Sequence, residues 1–353
     1  MTSDLQRCVA EYERQAAADA ATADHSLLAD GLTAFERLPP DQRLATENVR
    51  AAVKLFSRLR KRAETVDLLT EYLAQDLETD DEEWARWERT DNLALMRRFE
   101  ETVEAQRDDY AWAKERLEPH RWLRVMYDGT QALAWWGSGR LDEWLAIVPE
   151  LRAAVPVDER TRESWFHLNR TEAAVLERDE RIDDALAAAD RVGALADHFP
   201  EWDMAEMVRV EGDLTRMSVL TRAGRGEEFD AAADRVIARL ADFPATRTVA
   251  PDGPNQYAVL CHNAAARLYS AKRYKRAARL FREAARARTP YLTYIFLAAC
   301  VWAGAKDRHE VMDCLREAAK RDPSGSVWQR AQKLPELADL ADDEEVKAAA
   351  ERG

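Results

Sequence analysis

With 46% hydrophobic and 33% charged residues among 353, and only 12 Gly and 12 Pro, the chain has the balance of a folded, helix-rich protein, not a disordered one. Its net charge of −14 argues against non-specific binding to nucleic acid or to an anionic membrane. No run of about 18 apolar residues is present to span a bilayer, the N-terminus lacks a signal peptide's basic start and apolar run, and four scattered cysteines without a CxxC make no disulfide framework.

A cytoplasmic protein with reduced thiols is therefore expected. Only nine of the 52 basic residues are lysine, a bias that fits a GC-rich bacterial or archaeal genome. Strand signals are nearly absent: there is no sustained alternation of β-branched residues, and the single Asp252-Gly253 sits among prolines.

Residues 1–120 show amphipathic helix spacing without a fixed period. Pro39-Pro40 precedes a predicted helix pair at 49–59 and 65–77. Thr79 with Glu82 fits a capping box, in which hydroxyl and carboxylate each satisfy a backbone N–H of the first turn. From residue 121 onward hairpins follow. Ala132 and Trp135, then Leu141, Trp144 and Val148, flank Gly137-Ser138-Gly139; 165–177 and 182–195 flank the turn 178–181; 204–223 and 227–240 flank Gly224-Arg225-Gly226. The stretch 242–256, with Pro244, Pro251, Gly253 and Pro254, is too long for an ordinary repeat connection. It reads as an inserted loop, with a partner-contacting flap as the functional alternative.

Next comes an internal repeat. Cys261, Ala264, Ala265, Leu268, Ala277, Phe281 and Ala284 are matched, each 34 positions on, by Ile295, Ala298, Ala299, Trp302, Val311, Leu315 and Ala318. Small residues let two antiparallel helices approach while bulky ones fill the holes beside them, and Pro290 and Pro323 end the second helix of each pair. Residues 324–353 begin like a further first helix at Trp328, stop at Pro335 and turn acidic, as a terminal cap must to hide the last apolar face.

This pattern resembles the tetratricopeptide repeat (TPR), clearly over 258–323, more weakly over 121–241 and not detectably in 1–120. The resemblance implies an all-α fold, an α-solenoid of antiparallel helix hairpins wound into a right-handed superhelix. Residues 1–120 are then a helical extension, 121–257 degenerate hairpins, 258–323 two repeats and 324–353 the cap. If Trp144, Ala185, Ala232, Ala277 and Val311 are equivalent, their spacings of 41, 47, 45 and 34 residues make the earlier units longer or interrupted.

The resemblance also implies a job. First helices of successive units line a groove, so a protein or peptide partner would meet His262, Asn263, Ala266 and Tyr269, then Phe296, Leu297 and Cys300, with His167 and Arg170 from an earlier unit. Asn263 matches an asparagine that groove helices of the family use to hold a peptide backbone or terminal carboxylate. That grip also needs Lys or Arg on the same face of the adjoining unit. Phe296 and Leu297 stand there instead, so an amphipathic or mixed peptide is expected.

No catalytic, cofactor or metal residues are assigned. The phosphate-loop, dinucleotide, zinc-protease and nucleophile-elbow motifs are missing. The six histidines are dispersed, and adjacent Cys261 and His262 point about 100° apart on a helix, which prevents chelation by that pair. The leading function is a non-catalytic binding scaffold or adaptor. A sensor for a small molecule or signalling peptide is the alternative, and an all-helical enzyme a third. Nine of 11 tryptophans fall between Trp84 and Trp202. Packing is their ordinary role and an aromatic-lined groove the alternative, with adjacent Trp135 and Trp136 the candidate for one exposed ring. The segment 272–288 carries eight cations against Glu283; plain solvation or pairing with the acidic cap is the ordinary reading, and a surface for an acidic partner or a phosphate backbone the alternative.

Overall fold

The computed structural model describes residues 3–18, 23–244, 255–286, 291–322 and 324–351. The protein is all-α, with no β-strand among the described residues. Contacts divide it into two compact units, Met1–Thr171 and Glu172–Gly353. Pro290, Pro323 and all but the ends of the proline-rich loop lie outside the described residues.

The N-terminal unit runs through α1 (Asp4–Ala18), α2 (Ser26–Glu36), α3 (Pro40–Arg43), α4 (Thr46–Arg58), α5 (Arg62–Tyr72), α6 (Thr79–Leu95), α7 (Phe99–Arg116), α8 (Pro119–Met126), α9 (Gly129–Gly137), α10 (Leu141–Ala154) and the start of α11 (Arg162–Arg178). Each packs mainly on its chain neighbours, with α7 and α6 also meeting α9. Leu5, Val49, Ala52, Leu55 and Leu69 are wholly buried in the first part of this core. The capping box does not form: Thr79 is the first helical residue of α6, and the Glu82 carboxylate is taken by Arg86.

The C-terminal unit continues with α12 (Ile182–His198), α13 (Ala205–Arg222), α14 (Gly226–Asp242), α15 (Gln256–Ser270), α16 (Tyr274–Ala285), α17 (Tyr291–Ala305), α18 (Arg308–Ala319) and α19 (Val327–Ala331), then a 3-10 turn (Pro335–Leu340) and α20 (Glu344–Glu351). Helices pack in series, and α13 also reaches α15. Short turns between long packed helices force each pair to be antiparallel. The repeat register holds: Ala264, Ala265, Ala277, Ala298, Ala299 and Ala318 are wholly buried, with Phe281 and Leu315 filling the space beside them.

One device shapes the hairpins in both units. Leaving aside Gly325 ahead of the short α19, seven helix-to-helix turns among the described residues pass through one residue of positive φ: Arg60, Arg97, Gly139, Glu180, Gly224, Lys272 and Lys306. In the first six, the next residue's N–H bonds back to the carbonyl five positions earlier, as Lys61 to Phe56, Arg98 to Leu93 and Arg140 to Trp135 do. This left-handed cap satisfies carbonyls that the helix end leaves open. The residue after it is a cation in those six turns. In five it reaches a carboxylate three positions on: Glu64, Glu101, Glu143, Asp184 and Glu228. Exposed pairs of this kind contribute little energy, but they mark the repeat.

Among the described residues the cations of the basic helix do find internal partners, though none of these ion pairs is with the cap. Arg273 and Arg276 pair with Asp230 and Asp234 of α14, and Arg282 pairs with Glu310 of α18. Three of the cap's acids go to the last hairpin instead, Asp339 to Lys306 and Asp343 with Glu345 to Arg308, while Glu336 accepts from the Tyr269 and Tyr274 hydroxyls. Series packing places α16 between α14 and α18, so its cations meet the neighbouring hairpins first.

Candidate functional site

Each unit carries a cleft. In the C-terminal unit, the residues expected to line a groove form a connected aromatic cluster. His262 stands edge-on to Phe281 (5.5 Å), Phe281 stacks on Phe296 (6.0 Å, 11°), and Phe296 meets Tyr269 edge-on at 5.3 Å. The His262 Nδ1 lies 3.0 Å from the Thr293 hydroxyl, and burial pushes its pKa down. Asn263 is half-buried on the same helix. The Tyr269 and Tyr274 hydroxyls both donate to the carboxylate of Glu336, in the 3-10 turn of the cap.

Two of the expected positions point elsewhere. Leu297 and Cys300 are buried, at 5% and 1% exposure, because α17 is apolar around its whole circumference and is covered by α15, α16, α18 and the cap. Arg170 belongs to the N-terminal unit, where its guanidinium lies over Phe166 at 5.2 Å. What the α17 side leaves open is a cleft of ≈ 440 Å³, with Leu292, Ile295 and Phe296 facing Gln329, Arg330, Lys333 and Leu334.

The larger cleft, ≈ 750 Å³, lies in the N-terminal unit. Helix α6 contributes Trp84 and Trp87 one turn apart, α7 contributes Asp109 and Trp112, and α8 contributes Arg121 and Arg124. Pro119 starts α8 and Asp128 caps α9 by accepting from the Thr130 and Gln131 N–H groups. Gln131 is thereby fixed in the first turn of α9. The Thr171 hydroxyl donates to the Tyr127 carbonyl at 2.6 Å, which ties α11 down and sets His167 against Tyr127, ring centroids 5.2 Å apart. Burial, then the nearby Arg170, pushes the His167 pKa down.

Most charges here are answered locally. Asp109 is buried; burial raises its pKa against the opposing pull of the Thr90 hydroxyl (2.7 Å), Arg89 and Arg86 (3.1 Å). Arg121 pairs with Asp80 and Glu83. The guanidinium groups of Arg124 and Arg160 meet no carboxylate among the described residues, although the Arg160 backbone N–H donates to Asp158, and Glu163 meets no cation.

Two N–H groups in the floor are unsatisfied. The Trp112 indole Nε1 and the Gln131 amide Nε2 are buried without a partner among the described residues, although the two side chains are only 9% and 1% exposed. The amide's orientation is forced. Trp135, wholly buried, can only donate, and its indole N–H goes to the Gln106 carbonyl oxygen; the Gln106 amide nitrogen then donates to the Gln131 oxygen at 3.0 Å and to the Val125 carbonyl. Only the Gln131 NH₂ is left to present beyond that chain. A buried unmade hydrogen bond costs about 1–3 kcal/mol, so these donors hold free energy that an acceptor would release.

The adjacent indoles separate as their spacing requires, with Trp135 in the core and Trp136 39% exposed. Trp84 packs against the core of the N-terminal unit, as expected of it, and with Trp87 also lines the cleft. The pair's sequence signal was the helical spacing of two indoles. The donor chain through Gln106 and Gln131 has no signal in the sequence, since it joins three helices.

No protein-family model matches the chain, and no curated protein matches it in sequence. Among solved structures, a chain of "Structure of Naa15/Naa10 bound to HypK-THB" aligns with 98% of this chain and 67% of its own length, at 12% identity and a TM-score of 0.27. A superposition this loose bears on neither fold nor function.

Proposed function

We propose that the protein is a non-catalytic scaffold that holds a peptide or protein segment, and that the aromatic face of α15 and α17 makes the contact. The observation that carries this reading is the cleft in which Leu292, Ile295 and Phe296 oppose Arg330 and Lys333. An apolar wall beside a cationic rim suits an amphipathic segment with acidic residues. The same face already accommodates one carboxylate, that of Glu336 on Tyr269 and Tyr274. His262, Asn263, Tyr269 and Phe296 are the proposed contact residues.

Support for a non-catalytic role comes from the nucleophiles nearby. Burial pushes the thiols of Cys261, Cys300 and Cys314 up, to about 11, 12 and 12, so none is an available thiolate near neutral pH. No helix of the described residues is long and apolar enough to cross a membrane.

The test begins with cross-linking in the native host to identify a partner, followed by calorimetry on single variants. Phe296→Ala should weaken binding by about 1–2 kcal/mol, as truncation of an aromatic anchor does, while Arg279→Ala on α16 should change little. Unchanged affinity in Phe296→Ala would sink the reading. A steep loss with salt, together with a large Arg279 effect, would move the site to the basic helix.

A further inference from the structure

We infer that the cleft of the N-terminal unit is a ligand site for a small aromatic carboxylate, with the acid group on the floor donors and the ring among the indoles. Four observations converge on that chemistry. The unsatisfied groups, Trp112 Nε1 and Gln131 Nε2, are both donors, and the Trp135–Gln106 chain prevents the Gln131 amide from turning its oxygen outward. The ligand must therefore bring acceptors, and a carboxylate brings two oxygens.

Charge disfavours a dianion. The lining is balanced overall, Arg86, Arg121, Arg124 and Arg160 against Asp80, Glu83, Asp109 and Glu163, but Arg121 holds Asp80 and Glu83, and Arg86 with Arg89 holds Asp109, so the guanidinium groups of Arg124 and Arg160 are the ones left to meet an anionic group. A phosphate dianion would bring two charges into a lining with no net positive charge and face the buried Asp109 as well. The walls select a ring. Trp87 is 38% exposed, and Trp84 has one face under the Arg50 guanidinium at 4.2 Å. Size is the last constraint: ≈ 750 Å³ falls within the range of small-molecule sites, roughly 300–1,000 Å³.

The site is independent of the peptide-binding face proposed above, since every residue of its lining belongs to the N-terminal unit. Calorimetry on the full chain with 2-naphthoate, 2-naphthamide and inorganic phosphate separates ring from charge. Naphthoate should bind with one-to-one stoichiometry, at least about tenfold more tightly than naphthamide, and phosphate should neither bind nor compete. Gln131→Leu should weaken naphthoate about tenfold, the loss of one buried hydrogen bond. Because Gln131 also accepts from Gln106, the exposed Arg124→Ala serves as a second variant that leaves the core alone, and it should weaken naphthoate several-fold.

Equal affinity for acid and amide would overturn the carboxylate assignment, as would competition by phosphate. Naphthoate binding that survives Gln131→Leu and Arg124→Ala unchanged would overturn the site. None of these outcomes touches the Phe296→Ala test, so the two proposals fail separately.

Discussion

Replacing Gly212 by alanine places a methyl group between two helices that already touch. Its Cβ would sit 2.8 Å from the backbone nitrogen of Gly193, 3.0 Å from the Gly193 Cα and 3.6 Å from the Ala189 carbonyl oxygen. Carbon atoms pack at about 3.5–4.0 Å, so α13 has to move off α12 by a good fraction of an ångström, and backbone, unlike the end of a side chain, cannot swing aside. Overpacking of this sort costs about 1–3 kcal/mol. Alanine's better helix propensity returns up to about 1 kcal/mol, which leaves a net destabilisation of about 1–2 kcal/mol.

The facing glycine supplies the control. A Cβ on Gly193 meets nothing within 4 Å, so Gly193→Ala keeps only the propensity term and should stabilise by roughly 0.5–1 kcal/mol. The same chemical change on two residues in contact is thus expected to have opposite signs. Urea unfolding followed by circular dichroism at 222 nm, with hydrogen exchange of the α12 and α13 amides to localise the effect, checks this. Midpoints should be compared before extrapolated free energies, because stacked hairpins need not unfold in two states. Gly212→Ala as stable as Gly193→Ala would refute the close backbone contact.

Two further outcomes follow from burial. Ala299 is wholly enclosed where α17 meets its neighbours, so Ala299→Leu should destabilise by roughly 1–3 kcal/mol through overpacking; a neutral effect in thermal unfolding would break the repeat register. Burial, then the nearby Asp128 carboxylate, pushes the Asp91 pKa up to about 6 from 3.8, with Arg62 opposing. The folded state therefore binds this proton more tightly than the unfolded chain. Its contribution is fully present below about pH 4 and is lost as pH rises through 6. Asp91→Asn should flatten that window and gain about 1 kcal/mol at pH 7 after discounting for solvent screening; an unchanged pH profile of the melting temperature would exclude it.

How much of this was legible in the sequence depends on how local the signal is. The 34-residue pattern placed α15 to α18 correctly because small and bulky residues at helical spacing record which faces meet. In residues 1–120 the same pattern is blurred, yet Arg60-Lys61 with Glu64, and Arg97-Arg98 with Glu101, mark hairpins of the kind that Gly224-Arg225 with Glu228 marks further on. The full signal, a positive-φ residue, a cation and a carboxylate three positions later, is present in five of the seven turns. Glycine, the usual sign of such a turn, holds the positive-φ position in only two of the seven, and Arg, Lys or Glu holds it in the rest.

The clefts were harder to read, for a different reason. A groove assignment by helical wheel assumes that one face of each first helix stays uncovered. On α17 that assumption fails at two positions, since a helix without a single charged residue is covered over most of its circumference and draws Leu297 and Cys300 inward. On α7 it fails in the opposite sense: Gln106, Asp109 and Trp112 are polar or amphipathic residues at core positions, where apolar ones would be expected, and each is buried. Gln106 is spent on fixing Gln131, and Asp109 on fixing Arg86 against the Trp112 ring, with Arg86 5.0 Å above it. Buried polarity that leaves donors such as Trp112 Nε1 and Gln131 Nε2 unpaired is unfavourable for stability alone. Its concentration around one cleft, with donors left over and acceptors used up, is what separates that cleft from an accident of helix packing.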